Sequence, residues 1–118
     1  MVRNIELGRR GEEEAARFLE ARGFRIEARN VRTRFGEIDL IARDVRTVIF
    51  VEVKTRSSDE SGMPLEAIPG RKAARLRRLA EAWAADHDVP DSIDLRIDCI
   101  GVVFKDAGAI IEHVEDAV

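Results

Sequence analysis

Tyrosine is absent from this chain, and cysteine, tryptophan and histidine are scarce: one, one and two residues. Each shortage closes a route. Without tyrosine there is no tyrosine nucleophile. A lone cysteine, Cys99, forms no internal disulfide, which suits a reducing compartment. It stands in an apolar stretch with Ile97, Ile100 and Val102, so it reads as a small buried hydrophobe and not as a reactive thiol. His87 and His113 lie far apart in polar surroundings and read as surface residues; a zinc site asks for more ligands than these. Any metal must therefore be held by carboxylates, which selects a hard cation such as Mg²⁺ or Mn²⁺. No run of about eighteen apolar residues is present, so no membrane span is expected. The first ten residues carry Arg3, Glu6, Arg9 and Arg10 and no apolar block, unlike a secretory signal. The expected location is cytoplasmic, with no membrane partner.

The 118 residues are 45% hydrophobic and 36% charged, with the two kinds interleaved. That pattern describes a folded chain, and one domain over residues 1–118 can bury a core at this length. The net charge of −3 argues against a protein that coats nucleic acid. The charge is unevenly spread. Arg22, Arg25, Arg29, Arg32 and Arg34 crowd one segment, and Arg71, Lys72, Arg75, Arg77 and Arg78 another, while acids dominate after Glu81. A local basic surface can exist within an acidic total; plain solvated surface is the competing reading.

The periodicity predicts a helix from Asn4 to Arg22, stopped by Gly23. At about 100° per residue, Ile5, Gly8, Glu12, Ala15, Ala16 and Leu19 share its inner face. Glu12 is thus a carboxylate on the side that should meet the core, whereas Glu13 and Arg17 are spaced for a surface ion pair. Strands are predicted over Phe24–Val31, Gly36–Ala42 and Thr47–Lys54. Val48 to Val51 is apolar on both faces, as in a central strand covered on two sides. Residues Thr55 to Gly70 read as a loop with a helical turn at Pro64 to Ile68. A second helix follows over Gly70–Asp86, buried along Ala73, Leu76, Ala80 and Trp83, with Arg71, Arg75 and Arg78 outside. Lys72 falls toward the core side. Asp94–Phe104 and Ile110–Val114 complete the strands. The order predicts an α/β fold, a three-layer α/β/α sandwich around a mixed sheet.

The chemistry lies in the hairpin. Alternation puts Glu37, Asp39 and Ile41 on one face of their strand, and Phe50, Glu52 and Lys54 on one face of theirs. A turn centred between Val45 and Arg46 sets Asp39 opposite Glu52 and Glu37 opposite Lys54; a one-residue bulge would undo this. Sheets normally avoid two facing carboxylates. A divalent cation held by Asp39 and Glu52 would compensate, leaving open positions for water and a phosphate oxygen. Lys54 would then orient or deprotonate the attacking water, and Glu12, from a helix on the same face, would add a ligand directly or through water. The bland alternative is a set of solvated charges at a strand end, with Glu37 and Lys54 an ordinary cross-strand pair.

GEIDLIARD followed by VIFVEVKTR resembles the bacterial uncharacterised protein family UPF0102, the YraN-like proteins. The likeness extends to GRRGEEEAARFLEARGF before these motifs and to GMPLEAIPGRK and LRIDCIGVV after them. That family looks like a branch of the PD-(D/E)xK nuclease superfamily, related to Holliday-junction resolvases. The resemblance implies a restriction-endonuclease-like fold, with Asp39, Glu52 and Lys54 as the catalytic acid, acid and lysine and Glu12 as the acid of the first helix. Ile38 stands where the superfamily pattern has proline. The implied activity is a Mg²⁺- or Mn²⁺-dependent endonuclease on nucleic acid, DNA foremost and branched or single-stranded in form. Arg71, Lys72, Arg75 and Arg78 are the expected nucleic-acid contacts, and a homodimer would match the two equivalent strands of a junction. A non-catalytic binding module and a protein-interaction domain with a vestigial site remain the alternatives.

Overall fold

The computed structural model describes residues 2–57, 70–106 and 108–117. The expected helical turn at Pro64 to Ile68 lies outside them. Seven elements follow in order: α1 (Val2–Ala21), β1 (Arg25–Thr33), β2 (Gly36–Arg43), β3 (Thr47–Ser57), α2 (Gly70–Asp86), β4 (Asp94–Lys105) and β5 (Gly108–Val114). The strands form one sheet in the order β1-β2-β3-β4-β5. Only the β3–β4 pair is parallel, so the sheet is mixed.

The helices cover opposite faces. Ala15, Ala16 and Leu19 of α1 pack with Leu40, Ala42, Ile49, Val51, Ile100 and Val102. Ala73, Leu76, Leu79, Ala80 and Trp83 of α2 pack with Ile41, Val48, Phe50, Ile97 and Cys99. Successive β3 side chains thus enter different cores, as the apolar run Val48–Val51 requires. The result is the predicted α/β/α sandwich. Among the described residues no helix is long and apolar enough to cross a membrane.

Local chemistry fixes the ends. Gly23 has φ 95°, a left-handed conformation cheap only for glycine, and the Phe24 amide bonds back to the Leu19 carbonyl at 3.0 Å. At the β2–β3 turn, Asp44 Oδ1 accepts the amides of Arg46 (2.8 Å) and Thr47 (2.9 Å). This turn sets the register Leu40↔Val51, Ile41↔Phe50, Ala42↔Ile49 and Arg43↔Val48, the register expected from a turn centred at Val45 and Arg46.

One close approach positions α1. A Cβ on Gly11 would stand 1.8 Å from Thr55 Oγ1 and 2.8 Å from Thr55 Cβ. The latter atom is tied to the β3 backbone, so rotating the side chain gives no relief. Gly11 lets the helix sit against β3 and sets the depth at which Glu12 arrives. Gly11→Ala is expected to cost about 1–3 kcal/mol through overpacking, and Thr55→Ala in the same chain to return only part of it. Urea melts of the three proteins measure both.

Candidate active site at a strand fork

The sheet divides next to Asp39. Pairing between β2 and β3 ends at Leu40↔Val51, while β1 and β2 continue to Thr33↔Gly36. Beyond the last shared rung, the Val53 amide donates to Asp39 Oδ2 at 2.7 Å. A side-chain carboxylate thus receives an amide that a continuing β2 would have met with a backbone carbonyl. The predicted pairing of Asp39 opposite Glu52 becomes proximity across an opening fork. Glu37 does not face Lys54 as predicted; it pairs with Arg32 of β1 at 3.1 Å, because β2 has left β3 by then.

Glu52 and Lys54 follow Phe50 on the α2 side of β3, and Cys99 lies beside Glu52 in the parallel ladder. Burial raises the Asp39 pKa, the Val53 amide opposes this, the negative charge of Glu52 raises it further and Lys72 lowers it. The Cys99 thiol is pushed up to about 11, by burial first and then by Glu52, which agrees with an inert core residue. Beside Lys54 opens a cavity of about 110 Å³, bordered also by Arg56, Gly101 and Glu112.

Glu12 reaches this place by another route than predicted. Its helix covers the opposite face of the sheet from Glu52 and Lys54. Glu12 comes to the fork from behind. Its pKa is raised by burial and then by the charge of Asp39, and lowered by a hydrogen bond with the Asn30 side chain. Among the described residues, no three acidic, histidine or cysteine side chains lie close enough as placed to share one ion. The Glu52 carboxylate is turned to Lys72 Nζ, with which it forms an ion pair. Of the expected convergence of Glu12, Asp39, Glu52 and Lys54, the structure brings Glu12 and Glu52 each within electrostatic reach of Asp39 and adds Lys72, while Lys54 stands two residues beyond Glu52 on the same face of β3.

Asn30 was not foreseen. It adopts φ 50° within β1, between the rungs Arg29↔Leu40 and Val31↔Ile38, which places it across from Asp39. Non-glycine residues rarely take that conformation, and asparagine tolerates it best. A single asparagine amid alternating arginines was the available signal. The helix α2 carries Arg71, Arg75 and Arg78 exposed, as predicted. Arg75 leans over the β1–β2 turn, its Nε 3.5 Å from where a Gly36 Cβ would stand.

A second polar cluster was also missed. Asp98 is fully buried. Its carboxylate accepts Arg96 Nε and Nη2 at 2.9 Å each, His113 Nε2 at 2.7 Å and the Asp116 amide at 2.9 Å. His113 is thus no surface residue; its ring also meets Phe18 of α1 edge-on at 5.6 Å. Every polar side-chain atom that is buried among the described residues has a partner, which marks this cluster as structural.

Comparison with known proteins agrees with the resemblance in the motifs. The profile of the uncharacterised protein family UPF0102 matches residues 11–102. A UPF0102 protein of Leifsonia xyli subsp. xyli is 52% identical over 103 residues, covering 87% of this chain and 86% of the relative. One from Parafrankia sp. is 50% identical over 108 residues, 91% of each chain. One from Syntrophus aciditrophicus is 42% identical over 117 residues, 99% of this chain and 91% of the relative. With the match running from the middle of the first helix through the fork and into β4, the chain belongs to the uncharacterised protein family UPF0102.

Proposed function

We propose that the protein is a metal-dependent endonuclease that hydrolyses phosphodiester bonds in nucleic acid, with branched or single-stranded DNA as its substrate class. The observation that carries this reading is the fork itself: the Val53 amide holds Asp39 at the parting of β2 from β3, Glu52 lies within its electrostatic reach and is bonded to Lys72, and Lys54 follows on the same strand face. The donors are all carboxylate oxygens, which fits Mg²⁺ or Mn²⁺, and two protein ligands leave the remaining positions to water and a phosphate oxygen. Such an ion supplies Lewis acidity toward the phosphate and lowers the pKa of its water.

The chain's own residues do the rest. Asp39, braced by the Val53 amide, is a ligand of fixed direction. Glu52 is the second ligand, carried on the central strand. Lys54 holds positive charge where the pentacovalent phosphorus develops its negative charge, and orients the water. Glu12 acts from behind the fork through its charge on Asp39, held by Asn30. Arg71, Arg75 and Arg78 offer phosphate contacts along one helix face. A homodimer in the cytoplasm is the matching assembly for a two-stranded branch point.

A non-catalytic nucleic-acid-binding module is the second reading, favoured by the closed Glu52–Lys72 pair. A gel assay with branched, single-stranded and duplex DNA and with RNA separates the two, run with Mg²⁺ or Mn²⁺. The nuclease reading expects metal-dependent cleavage that falls at least about 100-fold in Asp39→Ala. Retained binding without cleavage of any substrate supports the binding module.

A further inference from the structure

We propose that Lys72 is a resident counter-ion, an ammonium that a divalent cation must displace from Glu52 before the site can load. The inference rests on the metal-site reading above and adds a competition built into the fold. Three features carry it. First, Lys72 Nζ is bonded to Glu52 Oε1, a carboxylate oxygen that a cation would take. Second, the partners differ in freedom. The Glu52 side chain is 16% exposed on the central strand, whereas the Lys72 side chain is 38% exposed in the first turn of α2. Lysine has a long flexible stem and a strongly hydrated head, so it can leave for water while Glu52 stays. Third, Lys72 also acts on the charge of Asp39, so one ammonium serves both acids of the fork.

An ammonium and a divalent cation repel, and they cannot share one carboxylate oxygen at contact distance. Loading therefore releases Lys72. The freed ammonium stays tethered one residue from exposed Arg71 and on the same helix as Arg75, within the stretch proposed to meet phosphates. The same charge thus serves two anions in turn: a carboxylate before the metal binds and a backbone phosphate afterwards. Lys54 plays no such part, because it sits on β3 itself and is not bonded to Glu52.

Direct Mn²⁺ binding to the full chain tests this without any cleavage assay. Free Mn²⁺ is followed by its electron paramagnetic resonance signal in wild type, Lys72→Gln, Lys72→Arg and Asp39→Asn. Gln keeps a hydrogen bond to Glu52 but no charge, so it is expected to tighten Mn²⁺ binding about tenfold. Arg holds the carboxylate with a fixed fork and is expected to weaken it. A thermal melt of each variant reports whether it folds. Binding by wild type that is unchanged or weaker in Lys72→Gln overturns the counter-ion role and leaves the metal site standing. Wild-type binding equal to that of Asp39→Asn removes the metal site, and this inference with it.

Discussion

Asp39→Asn is expected to raise the melting temperature of the metal-free protein while abolishing its response to Mn²⁺. The amide oxygen can still accept the Val53 amide, so the fork keeps its shape. What disappears is a charge that burial disfavours first and the Glu52 charge disfavours next. Asp39 and Glu52 meet across the fork and not in register, so their repulsion is on the scale of a cross-strand pair, roughly 0.2–1 kcal/mol, equivalent to about 1–5 °C for a domain of this size. The pH dependence has a definite sign. Burial and the Glu52 charge hold the Asp39 proton more tightly in the folded chain than in the unfolded one. The metal-free wild type therefore loses this stability as pH rises from the ordinary aspartate range through the raised value, and loses no more above it. Asp39→Asn removes that decline. With Mn²⁺ at 100 times its Kd, wild type gains about 2.7 kcal/mol by mass action and the variant gains nothing. Thermal melts with and without Mn²⁺ across pH measure all three effects, and equal metal responses would count against a site at Asp39.

Asp98→Ala carries the largest expected loss of stability. The substitution leaves the Arg96 guanidinium, the His113 ring and the Asp116 amide facing a void. Breaking one partner out of a buried charged network costs about 3–5 kcal/mol, or roughly 10–20 °C here. Because the Asp116 amide and the Ala117–Ile97 backbone bond clasp the C-terminal residues onto β4, proteolysis there should speed up as well. Burial pushes the Asp98 pKa up, but bonds from His113, Arg96 and the Asp116 amide together hold it below the ordinary value. That contribution is complete above the ordinary aspartate range and is lost as pH falls through the lowered value. The gap between wild type and Asp98→Ala should thus narrow in acid. A gap that is constant with pH would show that Asp98 does not titrate with folding.

What could be read before the structure depended on how local its cause was. The β2–β3 register followed from a short turn, and Asp44 holds that turn through its own side chain. Val48–Val51 announced a doubly covered strand because alternation has no polar face to offer there. The inner stripe of α2 and the inward Lys72 followed from helical geometry. The misses had non-local causes. Nothing along the chain says which sheet face α1 covers, so helical periodicity places Glu12 toward the core but on neither face in particular. The ladder stops at Leu40↔Val51 because β2 follows β1 while β3 follows β4, a competition between partners distant in sequence. The same parallel pairing carries β3 on to Ser57, past the predicted end at Lys54. Nothing local singles out Asp98 in its strand; besides Arg96 of β4 itself, its partners come from β5 and the chain end. Gly11 reads as ordinary until Thr55 is seen against it.

The bond between the Val53 amide and Asp39 has a spectroscopic consequence. Most amide protons of a central strand report on a neighbouring carbonyl, which changes little when a ligand arrives. The Val53 proton instead faces a carboxylate whose charge and direction are central to the proposed chemistry. Its resonance is therefore a built-in indicator of the fork. In an ¹⁵N-correlated spectrum, the Val53 peak would move with protonation of Asp39 or with an arriving cation. The neighbouring Phe50 and Val51 peaks would stay in place as an internal reference.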